Sequence, residues 1–178
     1  LTGKGGVLAD LGGEGEAILL AAHVDTLGGM VAEVKGDGRL RITNIGGMNA
    51  NNAEAENVRI RTYDGACYDG TLQLIDASIH VNGKYSDTAR SWDTVEVVID
   101  EPVSSKEDVE KLGIMTGNFV CFDPRTTITS SGYIKSRFLD DKLSTAILLG
   151  YAKYLKDEHI TLPRKIYQHI TVFEEVGH

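Results

Sequence analysis

Three pairs of acidic or histidine side chains stand where buried strands should end or a helix should begin. They are, in chain order, His23 and Asp25, Asp140 and Asp141, and Glu174 and Glu175. The first pair follows the apolar run 17–22, the second precedes a predicted helix, and the third follows the apolar segment 166–173. Ligands of open α/β sheets bind beyond the carboxyl ends of the strands. The spacing therefore indicates a metal site of the kind that two-metal hydrolases use.

The first pair has the residue types of a metal ligand and its supporting group. His23 and Asp25 alternate at a strand end, so both side chains can point to the same side. A metal-bound imidazole commonly donates its other N–H to a carboxylate, which fixes the tautomer and raises its basicity. Asp25 could fill that role. The alternative is an exposed loop histidine with an aspartate nearby.

The other two pairs also have two interpretations each. Asp140 and Asp141 could cap a helix, where the macrodipole favours acidic groups, or one could bridge two cations. Glu174 and Glu175 could form an exposed acidic turn. In a cleft they would repel each other unless a cation or proton intervened, so one could bind metal while the other takes a proton from water. The coincidence of all three pairs favours the metal site.

Composition bounds the class of protein. The chain has 178 residues, of which 42% are hydrophobic and 25% charged, values typical of a soluble globular protein. No apolar run approaches the ~20 residues that span a bilayer, so we expect no membrane partner. The net charge of −8 argues against a nucleic-acid partner. Cys67 and Cys121 lie outside any CxxC pattern and suggest reduced thiols of a cytoplasmic protein, with one disulfide as the alternative.

The pattern of elements changes twice along the chain. The run 17–22 predicts a strand buried on both faces. Short alternating strands then suggest a small β barrel or sandwich, with a hairpin at Asp64-Gly65 and a capping box from Ser105 to Asp108. The last third predicts a helix and a strand; the apolar residues recurring at helical spacing are Leu143, Ala146, Ile147, Gly150, Tyr151 and Tyr154. We therefore expect an α/β domain at 1–34 and 123–178, interrupted by an all-β insert at 35–122.

These motifs are together similar to those of a known family. The segments AHVDTLG at 22–28, FLDDK at 138–142 and FEEVG at 173–177 resemble, in order and spacing, the di-metal aminopeptidases of the glutamyl aminopeptidase and tetrahedral aminopeptidase family. Some members of that family were once labelled cellulases. The segments 58–81 and 104–123 also resemble its inserted β domain. The resemblance extends over nearly the whole chain.

The resemblance implies a fold and an activity. The fold would be a phosphorylase/hydrolase-like catalytic α/β domain, a sheet flanked by helices, interrupted by a small all-β barrel for oligomerisation. The activity would be hydrolysis of N-terminal residues from short peptides, with two divalent metal ions per subunit, zinc or cobalt. Dimers would assemble further into dodecamers.

The resemblance also implies a role for each candidate residue. In that scheme His23 binds one ion, Asp25 orients that histidine, Asp140 bridges both ions, Glu174 is the general base and Glu175 binds the second ion. The family supplies a further carboxylate and a further histidine downstream, and an ordered segment upstream. We therefore expect a chain truncated at both ends that binds metal weakly, with two protein ligands per ion where catalytic zinc sites typically have three. Such a fragment could be inactive. His178 is a candidate ligand that we do not favour.

Two other functions remain open at this point. A glycoside hydrolase would use two carboxyl groups about 5–10 Å apart and no metal, which leaves His23 and Asp25 without a task. A non-catalytic module for assembly or peptide binding would depend on the β insert alone. Sensitivity to a chelator distinguishes the metallopeptidase from the glycosidase.

Overall fold

The chain folds into two compact units. The computed structural model describes residues 1–177, and His178 lies outside them. The first unit, here called the sheet unit, comprises Leu1–Thr26 and the chain from Arg125 onwards. The second, here called the barrel unit, comprises Leu27–Pro124. The candidate site residues all belong to the sheet unit, so that unit decides whether they meet.

The elements follow one another in short succession. The strands are β1 (Val7–Gly12), β2 (Ile18–His23), β3 (Gly28–Val34), β4 (Leu40–Ile45), β5 (Asn57–Arg61), β6 (Cys67–Leu74), β7 (Val95–Ile99), β8 (Phe119–Phe122), β9 (Thr127–Ile128), β10 (Ile134–Lys135) and β11 (Ile166–Thr171). The helices are α1 (Lys106–Lys111) and α2 (Leu139–Asp157), with short 3₁₀ turns at Ala50–Asn52 and Glu174–Val176.

The sheet unit is built on three strands in the order β1-β11-β2. β11 is central; it pairs antiparallel with β1 and parallel with β2. The predicted strand at 17–22 is therefore present as β2, but the expectation that it is buried on both faces is wrong for the described residues. Leu19 is 57% exposed, and burial alternates along the first four residues of β2, as in a strand covered on one face only.

Helix α2 packs against β2 through one narrow face. Thr145 and Leu155 are buried on that face, and the side-chain amide of Gln168 on β11 donates to the carbonyl of Leu148 at 2.8 Å. The predicted helix is confirmed, but most of its predicted apolar stripe lies on the opposite side. Leu143 and Ile147 are exposed, so periodicity alone identified the helix without identifying which face the sheet covers.

The barrel unit is a closed six-stranded barrel in the order β3-β4-β7-β6-β5-β8. β3 pairs with β4 on one side and with β8 on the other, which closes the circle. Each of the six strands therefore has a neighbour on both sides, although β4 and β7 are paired only at Leu40 and Val97. The prediction of a small β barrel is therefore confirmed.

Alternating side chains fill the barrel. In β5, Val58 and Ile60 point inward while Arg59 and Arg61 face solvent, the period-2 pattern of a half-buried strand. Other residues of the barrel core are Val31, Leu40, Ile42, Leu72, Leu74, Val95, Val97 and Val120. Gly70 in β6 allows close strand approach, because a Cβ there would lie 2.6 Å from the Val98 carbonyl oxygen.

One carboxylate is buried on the barrel wall. Glu96 is fully buried, and Lys35 donates to it at 2.6 Å while Arg39 donates to its other oxygen. An unpaired buried charge would cost several kcal/mol, so these two cations make the position tolerable. The Arg39 pKa is raised above its usual range, chiefly by the hydrogen bond to Glu96.

The unit boundaries differ from the sequence-based ones. The sequence analysis placed the insert at 35–122, whereas the compact barrel unit spans Leu27–Pro124. The difference at the first boundary is β3, which was assigned to the α/β part. Its residues pair with β4 and β8, so the strand belongs to the barrel although it follows the candidate site residues directly in sequence.

The hairpin and the helix start have the predicted local structure. The Asp64-Gly65 hairpin joins antiparallel β5 and β6, and Ser105 caps α1 by accepting from the Asp108 N–H. Cys67 and Cys121 are free and exposed; they flank β5 on opposite sides, each beside a different arginine. Within residues 1–177, no helix has the length and apolar character needed to cross a membrane.

Candidate metal centre

The parallel pairing of β2 and β11 brings two of the three residue pairs to one edge of the sheet. His23 at the end of β2 lies opposite Thr171 at the end of β11, and the Val24 N–H donates to the Thr171 carbonyl at 3.0 Å. The 3₁₀ turn with Glu174 and Glu175 begins three residues after β11 ends. Parallel strands end at the same edge, which is where α/β sheets hold their ligands.

His23 is the centre of the cluster. The residue is buried, and its Nε2 lies 3.1 Å from Asp140 Oδ1 and 3.7 Å from Glu174 Oε2. On the other side of the ring, Nδ1 lies 3.2 Å from the carbonyl oxygen of Asp25 and 3.4 Å from its Oδ1. The imidazole thus has Asp140 and Glu174 on its Nε2 side and Asp25 on its Nδ1 side. One residue from each predicted pair therefore contacts or adjoins His23.

Asp25 is fixed by the main chain of the third pair. Its Oδ2 accepts a hydrogen bond from the Glu175 N–H at 2.9 Å. Burial would raise the Asp25 pKa, but the N–H groups of Glu175 and Glu174 outweigh it and hold the pKa below its ordinary value. Asp25 Oδ1 is buried without a hydrogen-bond partner among the described atoms. The carboxylate is therefore ionised and faces the imidazole.

Asp140 and Asp141 lie at the start of α2 but do not have helical backbone angles. The residue at the N-cap position is Phe138, and no side-chain capping bond is formed there among the described atoms. The alternative interpretation, in which one of the two aspartates caps the helix, is therefore wrong for the described residues. The Asp140 side chain is 90% exposed although it touches His23, so one side of the cluster is open.

The acidic groups crowd one another. Burial raises the Glu175 pKa, and the negative charges of Glu174, Asp140 and Asp25 add to that rise against the opposing effect of His23. Burial lowers the His23 pKa, but its bonds to Asp140 and Asp25 outweigh this and leave it raised. A cluster that attracts positive charge in this way would be relieved by a bound cation.

The donor set fits a divalent transition metal. Ligand atoms of His23, Asp140 and Asp141 all lie within 4.8 Å of one another, and imidazole with carboxylate suits zinc, cobalt or manganese. Of the predicted metal ligands, His23 and Asp140 belong to this group. The carboxylate of Glu175 does not, although its N–H supports Asp25. Asp141 also belongs to this group. The sequence analysis named it only as the neighbour of Asp140 and did not predict it as a ligand.

Two further residues of α2 support the cluster and were missed by sequence reasoning. The buried hydroxyl of Thr145 donates to the His23 carbonyl at 3.1 Å, and the Lys142 ammonium lies 3.4 Å from the Asp25 carbonyl oxygen. Thr145 stands four residues after Asp141, one helical turn away. The sequence signal that could have identified Thr145 is a polar residue on the side of the helix that faces the sheet.

A mixed α/β unit with imidazole and carboxylates converging beyond the ends of parallel strands is the arrangement of a metallohydrolase. The chain belongs to the M42 glutamyl aminopeptidase family, whose sequence profile matches residues 5–178.

Individual relatives agree with that assignment. "Putative aminopeptidase YhfE" of Bacillus subtilis (strain 168) is 46% identical over 177 residues, which make up 98% of this chain and 51% of that protein. The structure of aminopeptidase APDkam598 from the archaeon Desulfurococcus kamchatkensis superposes with a TM-score of 0.82 at 29% identity, covering 97% of this chain and 45% of that one.

A third similar protein is described as an assembly. The Pyrococcus horikoshii TET1 peptidase, which "can assemble into a tetrahedron or a large octahedral shell", matches with a TM-score of 0.79 at 29% identity over 97% of this chain and 50% of that one. The chain thus spans about half the length of the relatives it matches.

Proposed function

We propose that this chain supplies part of the active site of a metal-dependent aminopeptidase that removes N-terminal residues from short peptides. The observation that carries the proposal is the meeting of three separate chain segments at His23, with Asp140 at 3.1 Å, Glu174 at 3.7 Å and Asp25 at 3.4 Å. Membership of the M42 family supports the same reaction class.

The two sides of the His23 ring would have different tasks. With the proton on Nδ1, the ring donates to the Asp25 carbonyl oxygen at 3.2 Å, and Nε2 keeps a free lone pair. That lone pair faces Asp140 Oδ1, so His23 and Asp140 would hold one ion together. Asp25 would be the positioning residue that fixes this tautomer, as carboxylate partners of metal-bound histidines do.

The two glutamates would divide binding from proton transfer. We assign Glu174 as the general base, because its Oε2 lies on the Nε2 side of His23 and its side chain is open to water. Glu175 would hold the second ion, with Asp140 bridging both. Bound divalent cations would lower the pKa of a water molecule and polarise the scissile carbonyl. Glu174 Oε2 would then accept the proton from that water.

The remaining assignments depend on the same proposal. Two divalent ions per subunit, zinc or cobalt, suit the donor set. The catalytic part would be the phosphorylase/hydrolase-like domain, with its sheet flanked by helices, and the barrel unit would be its oligomerisation domain. We propose a cytoplasmic homo-oligomer of dimers that build a dodecamer; the tetrahedral and octahedral assemblies described for the Pyrococcus horikoshii relative support self-assembly.

Hydrolysis of aminoacyl p-nitroanilides by the metal-loaded protein tests the proposal. We expect activity that a chelator removes and that zinc or cobalt restores. Glu174→Gln should lower kcat by about 10²–10⁴-fold, the usual contribution of a general base, while metal content stays that of the wild type. The matched control is Glu158→Gln, an exposed glutamate just beyond α2, which should leave kcat unchanged.

The competing functions give different results. Cleavage of cello-oligosaccharides that survives the chelator would contradict the peptidase and favour the glycosidase. Equal activities of Glu174→Gln and wild type would remove Glu174 from the reaction.

A further inference from the structure

Asp141 is a half-buried carboxylate beside His23 that has no partner of its own. It lies at the start of α2, next to Asp140. Within residues 1–177 its carboxylate forms no hydrogen bond or ion pair with another residue. Asp25 and Asp108, by contrast, are held by an N–H group and by an ammonium group respectively. A carboxylate that is partly withdrawn from water and lacks a donor is an acceptor open to a cation.

The backbone at the start of α2 allows both aspartates to face the same imidazole. Consecutive side chains of a regular helix diverge by about 100°. Asp140 (φ −78°, ψ 109°) and Asp141 (φ −123°, ψ 33°) both depart from helical backbone angles. Ligand atoms of the two aspartates and of His23 lie within 4.8 Å of one another. One imidazole and two carboxylates are thus available at one place in the sheet unit.

The three ligand atoms are close to the spacing of a single coordination sphere. Zinc–nitrogen and zinc–oxygen bonds are about 2.0–2.2 Å long, so two ligand atoms of one ion are at most about 4.4 Å apart. His23 Nε2 and Asp140 Oδ1 are 3.1 Å apart. The Asp140 side chain is 90% exposed, so its carboxylate can adjust by a few tenths of an ångström without disturbing the core.

The two glutamates of the cluster do not belong to this set of three. Glu174 Oε2 lies 3.7 Å from His23 Nε2, but among the residues that the structure describes neither Glu174 nor Glu175 joins the group. Glu174 therefore stays available as the proposed base, and Glu175 stays available for the proposed second ion.

We infer that Asp141 is the third protein ligand of the ion held by His23 and Asp140. The inference rests on the metal centre of the proposed function and deepens it. The sequence analysis allowed two protein ligands for each ion, and Asp141 raises the number for this ion to three. Three protein ligands and a fourth position open to water are typical of a catalytic zinc site. The two carboxylates also balance the charge of one divalent cation.

The two proposed ions then differ in affinity. The first ion has three protein ligands in this chain, whereas the second has only Glu175 and a share of Asp140. One ion per chain therefore binds first and tightly, and the second binds only at a higher metal concentration.

Titration of the metal-free protein with cobalt, followed by calorimetry and visible absorption, tests the inference without an assay of activity. The wild type should bind one cobalt ion per chain in a tight phase. Asp141→Asn keeps the side-chain shape and should weaken that phase by about 10–100-fold or more, since even the loss of a ligand's outer partner costs about that much. Asp157→Asn, at the far end of α2, is the matched control and should bind cobalt as the wild type does. Urea unfolding of the metal-free proteins should show equal stability for Asp141→Asn and the wild type.

Glu175→Gln separates ligation from charge. The substitution removes a negative charge from the same cluster, so it should abolish the weak phase and affect the tight phase much less than Asp141→Asn does. Equal weakening of the tight phase by the two substitutions would overturn the inference, as would two equally tight ions in the wild type or wild-type affinity in Asp141→Asn. These results leave the proposed function standing as long as His23→Ala abolishes binding. A wild type that binds no cobalt would overturn the proposed function as well.

Discussion

At the scale of single residues, the position of His23 depends on its neighbours more than on its own side chain. Asp25 holds Nδ1, and the carbonyl of His23 accepts the Thr145 hydroxyl at 3.1 Å. Ligating side chains need this outer support, and losing it commonly weakens metal binding about 10–100-fold. The geometry of the candidate centre therefore also depends on Asp25 and Thr145, which are not proposed as metal ligands.

Thr145→Val tests this support. The substitution keeps the shape of the side chain but leaves the His23 carbonyl, in a buried site, without its donor. We expect unfolding to require about 1–3 kcal/mol less free energy, measured by urea denaturation, and cobalt to bind more weakly in calorimetric titration. Thr43→Val on the exposed face of β4 is the control. Equal cobalt affinities for Thr145→Val and wild type would show that the hydrogen bond does not position His23.

At the scale of elements, the capping box of α1 illustrates how local chemistry fixes a helix start. Ser105 accepts from the Asp108 N–H at 3.2 Å, and its hydroxyl donates to Asp108 Oδ2 at 2.9 Å. The Lys111 ammonium donates to the other carboxylate oxygen at 3.1 Å. The pKa of Asp108 is lowered from 3.8 to about 2, first by Lys111 and then by Ser105.

This lowered pKa gives a prediction with a definite sign. Because the folded pKa lies below the unfolded one, Asp108 contributes stability above its ordinary pKa of 3.8 and loses it as pH falls towards about 2. A carboxyl NMR titration should place the midpoint near 2 in the wild type, and Lys111→Met should raise it. Lys106→Met, which removes a lysine near Glu110 instead, should not. A wild-type midpoint near 3.8 would contradict this network.

The elements also show what sequence patterns can and cannot define. Ser105 with Asp108, and Asp64-Gly65, are signals contained within a few residues, and both predictions are confirmed. The assignment of β3 to the barrel depends on pairing with β8, almost ninety residues later in the chain. The strands β9 and β10 were not predicted, because strands of two residues are too short to show a periodicity.

At the scale of the whole molecule, the candidate centre depends on contacts that are remote in sequence. His23 and Asp140 are separated by 117 positions, and β11 inserts between the two N-terminal strands. The three pairs of acidic or histidine residues could be recognised as candidate site residues because the ends of apolar runs mark the ends of strands. Which carboxylate oxygens come together near His23 depends on the backbone angles at the start of α2. No residue pattern specifies those angles, so the place of Asp141 in the group could not be predicted.

The barrel unit should fold without the rest of the chain. All six of its strands lie within Leu27–Pro124 and have both of their neighbours there. We expect the excised segment 27–124 to give a dispersed amide NMR spectrum and one cooperative unfolding transition. A collapsed spectrum without dispersion would mean that the barrel needs the sheet unit in order to fold.

Cobalt binding measured by visible absorption is the most direct test of the central claim, that His23 and the carboxylates around it form a metal centre. The account predicts ligand-field bands that saturate on titration of the wild-type protein, are lost in His23→Ala and are kept in His80→Ala, an exposed histidine of the barrel unit. Identical cobalt spectra and affinities for His23→Ala and wild type would contradict the account.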